Sequence, residues 1–305
     1  QPEEYWTMTA HLLAEEDTIQ AQFFRFQGEK MELKSQAEVD KLLEHIKGKR
    51  FVVEEVRKSE RRRNPAAPFI TSTLQQEAAR KLNFRAQKTM ALAQQLYEGI
   101  EVGKEGSVGL ITYMRTDSTR VSQVAQEEAR QYIQKHFGEE YLPEDNKRYS
   151  VKKGAQDAHE AIRPTSVFRT HAKVKPYLKR DQYRLYKLIW ERFVASQMAA
   201  AIFDTVSADI RAGDAMFRAT GSRMKFPGFM KVYVEGTDEQ SKEEETELPL
   251  LEKGQVLKQK KIEPKQHFTQ PPPRYTEARL VKELEEKGIG RPSTYAPTLD
   301  TIQKR

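Results

Sequence analysis

One stretch of the chain combines residue types that could act on a phosphate ester. It runs Gly109-Leu110-Ile111-Thr112-Tyr113-Met114-Arg115-Thr116-Asp117-Ser118-Thr119-Arg120. A phenol with the ordinary tyrosine pKa of about 10 is a poor nucleophile, so phosphoryl transfer to Tyr113 would need a nearby cation or proton acceptor. Arg115 lies two residues further on and can present its guanidinium fork to phosphate oxygens. The spacing therefore allows a tyrosine nucleophile with an arginine partner.

A packing role for the same residues is the alternative. Tyrosine at the end of an apolar strand commonly packs at a core or sheet edge, and a Thr/Asp/Ser run commonly caps a helix. The segment contains the strand-like run 108–112 and precedes a helical pattern. A strand-to-helix junction leaves backbone N–H groups unpaired, which favours an anion there.

The elements that must position this segment read as a helical region between two β regions. Residues 7–56 alternate apolar and polar positions, which predicts antiparallel strands, and the charged, proline-containing run 59–68 predicts an exposed connector. Alternation returns at 205–211 and 230–234, which predicts that the β layer resumes.

Helical periodicity dominates the region between the two β segments. We expect a helix from Thr73, with Gln76 completing a capping box, and further helices at 85–97, 123–137 and 181–198. Near the end of the chain, Thr276 can cap a helix that reaches Lys287, after a stiff triple-proline spacer. Residues 238–247 hold six acids and one lysine and read as a solvated loop.

Composition excludes several classes of protein. The 305 residues carry a net charge of +7, which makes a polyanion the default partner. There is no cysteine, so disulfides, thiolate metal sites and cysteine nucleophiles are excluded. The longest apolar run, 198–203, is far shorter than the roughly 20 residues that span a bilayer, so we expect no membrane partner.

Five motifs in order carry a resemblance to a known family. They are Pro2-Glu3-Glu4-Tyr5-Trp6; Thr71-Ser72-Thr73-Leu74-Gln75-Gln76-Glu77-Ala78; Ile111-Thr112-Tyr113-Met114-Arg115-Thr116-Asp117-Ser118; His159-Glu160-Ala161-Ile162-Arg163-Pro164-Thr165; and Pro272-Pro273-Arg274-Tyr275-Thr276-Glu277-Ala278 continuing to Gly290-Arg291-Pro292-Ser293-Thr294-Tyr295. Together they resemble type IA DNA topoisomerases over nearly the whole chain, and Met114 is typical of the bacterial members.

The resemblance implies a fold and a reaction. The fold would be α+β and multidomain: an antiparallel β arch of residues 1–70 and 200–270 carries a helical domain of residues 71–199, in a partial torus. Residues 271–305 would begin a truncated helical strand-binding domain. The enzyme would cleave one DNA strand through a 5′-phosphotyrosine, pass the other strand through the gap and religate, which relaxes negative supercoils without ATP.

Residue roles follow from the same resemblance. Tyr113 would be the nucleophile and Arg115 would stabilise charge on the phosphate. Supporting positions would be filled by Thr116, Asp117, His159 and Arg163, with His159 contacting phosphate or relaying a proton. DNA contacts would come from Arg291, Ser293, Thr294, Arg80 and Arg85. For the last five residues a solvated face or a simple turn is an equally open interpretation.

The resemblance also implies parts that these residues do not contain. The family holds its catalytic Mg²⁺ on acidic residues of a toprim domain, and no Asp-x-Asp-x-Glu pattern occurs here. We therefore interpret the chain as a central fragment whose partners are DNA, with a single-stranded segment, and the absent toprim and C-terminal domains of the same polypeptide. By itself the fragment would be inactive. The implied location is the bacterial cytoplasm, at the nucleoid.

Two other functions are weighed against this interpretation. Tyrosine recombinases also use Tyr, His and Arg, but their arginine follows the histidine by three residues, whereas His159 and Arg163 are four apart and Tyr113 precedes both. A helical DNA-binding or scaffold module without chemistry explains the charge and the helices equally well.

Overall fold

The computed structural model describes residues 1–146, 148–150, 159–238 and 246–305. The strands are β1 Glu4–Ala14, β2 Asp17–Phe26, β3 Glu29–Lys30, β4 Phe51–Arg63, β5 Ile100–Glu101, β6 Ser107–Val108, β7 Ala201–Ala212, β8 Ala215–Phe226 and β9 Val256–Phe268. The helices are α1 Gln36–Ile46, α2 Thr71–Glu77, α3 Ala86–Glu98, α4 Gln123–His136, α5 His171–Val174, α6 Arg180–Ser196, α7 Glu277–Glu286 and α8 Tyr295–Lys304.

Packing divides the chain into two units. The first contains residues 1–62, 202–226 and, of the described residues, 246–273. The second contains the described parts of 63–201 and 227–238 together with Arg274–Arg305. Residues 274–305 therefore pack with the helices of the second unit. The three-part domain division predicted from the sequence, with its own segment at 271–305, stays a prediction.

The first unit is built on one antiparallel sheet in the order β1-β9-β4-β7-β8-β2-β3. Because β1 also pairs with β2, with Ala10 opposite Ala21, the pairings of six strands form a closed ring. Inside it the ring of Phe217 meets Phe23 and Phe51 edge to face, with centroids 5.7 and 5.4 Å away. Mixed α and β structure with a large antiparallel sheet confirms the predicted fold class.

In the second unit, α6 is largely buried and presents Leu185, Tyr186, Ile189 and Phe193 to the core. The structure confirms the predicted helices at α3, α4, α6 and α7. At α7, Thr276 Oγ1 accepts the Arg279 N–H at 3.1 Å, as the sequence predicts. Gly288, with φ +67°, follows the helix as its predicted stop.

A buried ionic cluster fixes residues 227–238 onto the helices of the second unit. Arg192 is 3% exposed; its Nε donates to the Ala67 carbonyl at 2.6 Å and its Nη1 to Glu235 at 3.2 Å. The buried carboxylate of Glu77 accepts the Tyr233 hydroxyl and, at 3.1 Å, the Gly236 N–H. Burial raises the pKa of Tyr233, so the hydroxyl keeps its proton and remains a donor.

Two strand predictions and one connector prediction were wrong. The run 59–68 is not an irregular connector throughout, because β4 continues to Arg63; β7 pairs with its backbone, and Glu60 forms an ion pair with Lys225 of β8 at 2.9 Å. Residues 7–56 are not all strands, because Ser35 caps α1 and accepts the Glu38 N–H. The alternating run 230–234 is not a strand, because Gly228 adopts φ +50° and a 3₁₀ turn follows.

Other local predictions need adjustment. The helix predicted from Thr73 begins at Thr71, and the Thr73 hydroxyl instead accepts the Ile70 N–H. The strand-like run 108–112 forms a ladder only at Ser107–Val108, with an isolated bridge from Ile111 to Pro164. Most of the predicted acidic loop, at 239–245, lies outside the described residues. No helix in the described part of the chain is long and apolar enough to cross a membrane.

Truncation of Phe217 tests the core of the first unit. Phe217→Ala removes a fully buried ring with two aromatic partners, so we expect a loss of about 3 to 5 kcal/mol in the free energy of unfolding of this unit. Urea unfolding, followed by tryptophan fluorescence and by circular dichroism in the aromatic region, measures this loss. The matched control is Phe268→Ala, because Phe268 ends β9 and is 48% exposed. Equal losses in the two variants would contradict this core.

Candidate active site

The segment 109–122 that carries Tyr113 has neither a helix nor a continuous strand, and α4 begins only at Gln123. Tyr113 therefore does not stand at a strand-to-helix junction, which the sequence pattern predicted. Anion binding by this segment stays a prediction. The segment instead lies along residues 160–165. The Thr112 N–H donates to the Arg163 carbonyl at 2.9 Å, and the Thr165 N–H donates to the Leu110 carbonyl at 2.9 Å.

Hydroxyl groups supply the hydrogen bonds that a regular element would provide. The Thr71 hydroxyl, on the first turn of α2, lies 2.7 Å from the Met114 carbonyl and accepts the Thr116 N–H at 2.9 Å. Thr112 Oγ1 donates to the Ala161 carbonyl at 2.7 Å and accepts the Arg163 N–H at 3.0 Å. Both sides of the Tyr113 segment are thus held by buried or half-buried threonines.

Alternation within the segment points two side chains outward. Met114 is fully buried and Thr116 is 3% exposed, whereas Tyr113 is 38% exposed and Arg115 is also exposed. Burial therefore alternates along residues 113–116, and the exposed Tyr113 and Arg115 flank the buried Met114.

The last turns of α3 contact both outward side chains. The rings of Tyr97 and Tyr113 meet edge to face, with centroids 5.3 Å apart. Gln94 Oε1 accepts from Arg115 Nη1 at 3.4 Å. The Leu110 N–H also donates to the Leu96 carbonyl at 2.8 Å, which ties the segment to the end of α3.

Thr116 and Asp117, predicted to support the site, have different environments. Thr116 Oγ1 accepts the Ser118 N–H at 3.1 Å, so it shapes the backbone and does not face solvent. Asp117 is half-buried and lies near Tyr295 at the start of α8. Burial raises the pKa of Tyr295, and the negative charges of Glu285 and Asp117 raise it further.

Residues 160–165, which lie along the Tyr113 segment, form one wall of the site, and Arg163 is held within this wall. Its Nη2 donates to Glu160 Oε2 at 2.9 Å, and Glu160 Oε1 accepts the Ser122 N–H at 2.6 Å. The Arg163 side chain is only 11% exposed. Burial acts to raise the pKa of Glu160, but the hydrogen bond and charge of Arg163 and the Ser122 N–H outweigh it and lower that pKa. His159 is half-buried at the start of this wall.

The predicted DNA-contacting residues lie in two places. Arg291, Ser293 and Thr294 form the turn before α8, where Thr294 Oγ1 accepts the Arg291 N–H at 2.8 Å; α8 packs against α3. Arg80 pairs with Asp238, Nη2 to Oδ2 at 2.8 Å, and its side chain is 16% exposed. Arg85 is exposed where α3 begins. Arg80 is thus neutralised locally, whereas Arg85 faces solvent.

Sequence reasoning missed four residues that shape the site: Thr71, Gln94, Tyr97 and Glu160. Thr71 and Glu160 stand inside motifs that carry the family resemblance, so their motifs were the available signal. Gln94 and Tyr97 are three apart on one helix and so share a face, but only the fold places that face beside Tyr113.

A metal site would need several acidic or histidine ligands in one place. Among the described residues, no group of three or more His, Asp or Glu side chains is arranged to hold a metal ion. The residues around Tyr113 therefore do not fit a magnesium site by themselves.

Comparison with known proteins assigns the family. The sequence profile of the DNA topoisomerase family matches residues 1–305. This chain belongs to that family. Its fold is similar to full-length topoisomerase I from Thermotoga maritima, with 41% sequence identity and a TM-score of 0.81. The match covers 99% of this chain and 47% of the T. maritima chain, so the chain spans about half the length of that topoisomerase.

The Thr71 hydroxyl gives the first test of the site. Thr71→Val keeps the shape but leaves the Thr116 N–H and the Met114 carbonyl without their partner, which should cost about 1 to 3 kcal/mol. We expect the Thr116 amide to exchange its hydrogen roughly tenfold faster or more, as measured by NMR. Thr71→Ser, which retains the hydroxyl, is the control. Unchanged exchange in the valine variant would contradict the anchoring role.

The lowered pKa of Glu160 predicts a pH dependence. A carboxylate with a lowered folded pKa stabilises the fold above its unfolded value of 4.5, and this contribution disappears as the pH falls through the lower folded value. Glu160→Gln should therefore cost about 1 to 3 kcal/mol at pH 7 and progressively less below pH 4.5. Urea unfolding of both proteins across this range measures the difference. Glu127→Gln, on the exposed face of α4, controls for general charge effects; a Glu160→Gln cost that is constant with pH would refute the pairing.

Proposed function

We propose that this chain carries the tyrosine half of a type IA DNA topoisomerase active site, with Tyr113 as the nucleophile. One observation carries the proposal most directly. A firmly anchored segment presents an exposed phenol and an exposed guanidinium two residues apart, both in contact with the last turns of α3. A nucleophile next to a cation is the arrangement that attack on a phosphodiester requires.

The proposed step exchanges one phosphodiester bond for another. The Tyr113 oxygen attacks a backbone phosphorus of one DNA strand; the new bond joins the phenol oxygen to the 5′ phosphate, and the bond from phosphorus to the 3′ oxygen breaks. The phenol proton is lost and the leaving 3′ oxygen gains a proton. Religation is the reverse attack by the 3′ hydroxyl. Since no bond energy is lost, ATP is not needed.

Arg115 is proposed to stabilise the negative charge that builds on the phosphate oxygens during attack. Its guanidinium stays charged at any physiological pH, and its planar fork matches two phosphate oxygens. Its partner here, the Gln94 amide, is neutral, so the positive charge is not cancelled before substrate arrives. His159, half-buried at the entrance of the 160–165 wall, is proposed to contact phosphate or relay a proton.

The remaining parts of the proposed enzyme lie partly outside these residues. Magnesium would be held by a toprim domain, since the described residues gather no metal ligand set, and this chain alone would be inactive. The turn with Arg291, Ser293 and Thr294 would hold the phosphates of the single-stranded segment, because α8 packs beside α3. The enzyme would act in the bacterial cytoplasm on negatively supercoiled DNA.

Covalent capture of DNA tests the nucleophile. A single-stranded oligonucleotide labelled at its 3′ end is mixed with magnesium, this chain and the separately produced toprim domain, and then denatured. The intact enzyme serves as the reference. We expect the label to remain on this chain, and Tyr113→Phe, which keeps the ring, to lose at least a thousandfold of capture because it has no nucleophilic oxygen.

DNA binding by the Phe variant is the control for the capture experiment. Binding should survive, because Arg115 and the basic surface are unchanged. If the intact enzyme captures DNA and this chain does not, the chain acts as a DNA-binding module as it stands. If Tyr113→Phe captures label as well as the unmodified protein, the nucleophile is wrong.

A further inference from the structure

The last turns of α3 touch the Tyr113 segment through three contacts, one between backbones and two between side chains. The backbone is joined by the hydrogen bond from Leu110 N–H to the Leu96 carbonyl. Gly109 allows this approach, because a Cβ there would lie 2.8 Å from the Tyr97 carbonyl oxygen. Beyond the backbone, two side chains of α3 each contact one of the two outward side chains of the segment.

The orientation of the Gln94 amide follows from its neighbours. Gln94 Nε2 donates to Glu98 Oε1 at 2.6 Å, one turn further along α3. A carboxylate only accepts, so it takes the NH₂ group, and the amide oxygen is left for Arg115, which only donates. Glu98 therefore determines which end of the amide Arg115 meets. The Gln94 side chain lies between the Glu98 carboxylate and the Arg115 guanidinium.

Tyr97 acts on the other side chain. Its ring is 41% exposed and lies edge to face with Tyr113 at an interplanar angle of 62°. Such contacts restrict how a ring can turn about its side-chain bonds. An exposed phenol without this contact would sample several rotamers, and its oxygen would be in position for attack only part of the time.

We propose that Gln94 and Tyr97 are positioning residues that hold Arg115 and Tyr113 in the geometry for attack on phosphate. The proposal rests on the proposed function of Tyr113. Neither residue needs to contact DNA. A glutamine suits position 94 because it accepts a hydrogen bond without neutralising Arg115, as a glutamate would.

The test for Gln94 uses the rate of covalent capture of a 3′-labelled single-stranded oligonucleotide by the intact enzyme. Gln94→Leu should slow capture about three- to tenfold. The matched control is Gln95→Leu, because Gln95 stands on the same helix but accepts from Gln182 of α6. In an Arg115→Ala background the Gln94→Leu change should alter capture by less than about twofold, since it acts through Arg115. Additive effects of the two substitutions would overturn the role of Gln94.

The test for Tyr97 compares two substitutions. Tyr97→Leu removes the ring and should slow capture about three- to tenfold, whereas Tyr97→Phe retains the ring and should capture within about twofold of the unmodified enzyme. Equal slowing by Leu and Phe, or no slowing by Leu, would overturn the role of Tyr97.

A measurement independent of activity keeps the two proposals apart. In NMR spectra of the 305-residue chain, Tyr97→Leu should shift the ring signals of Tyr113, and Gln94→Leu should increase the mobility of the Arg115 side chain. If the unmodified intact enzyme captures no DNA, the proposed function fails. If it captures DNA but these variants change neither the spectra nor the rates, only the positioning proposal fails.

Discussion

The candidate site depends on how an extended segment without its own secondary structure is fixed in place. Buried backbone groups must be hydrogen-bonded, and residues 109–122 have no continuous ladder to supply the bonds. The hydroxyls of Thr71 and Thr112 supply them from either side, together with the backbone of residues 160–165. A threonine hydroxyl can donate and accept at once, so a single side chain satisfies both a carbonyl and an N–H. The price is sensitivity, because removing one hydroxyl leaves two buried groups without partners.

Helix α3 connects this segment to the C-terminal part of the chain. Its N-terminus has no side-chain cap of its own, and Glu277 of α7 supplies one, with Oε2 accepting the Ala86 N–H at 3.0 Å. The other oxygen of Glu277 accepts from Gln303 of α8 at 2.8 Å. One carboxylate thus joins α3, α7 and α8, while the opposite end of α3 contacts Tyr113.

Sequence patterns predicted the elements whose stability is local. Helices α4 and α6 have an apolar stripe of helical period, and α7 has a threonine cap and a glycine stop, so their signals lie within the elements themselves. Helix α1 was missed although its Ser35 cap is local, whereas two other errors occur where partners distant in sequence decide the structure. The end of β4 is highly charged and forms a strand because β7 pairs with it, whereas 230–234 alternates like a strand but folds into a turn because Gly228 approaches the Ala199 and Ala200 carbonyls. Tyr113 and Arg115 were found by motif, while Gln94 and Tyr97 gain significance only from a fold that brings α3 beside them.

The arginines show why net charge alone could not locate the site. Arg192 is buried against a carbonyl, a carboxylate and two aromatic rings, and Arg80 is neutralised by Asp238, so both stabilise the fold and offer little to a polyanion. Arg163 likewise pairs with Glu160 in the wall of the site. Arg115 differs because its contact is with a neutral amide whose orientation is determined by Glu98. An arginine that is held in place yet keeps its charge available is suited to stabilise a transition state, because the cost of ordering the side chain is met before the phosphate binds.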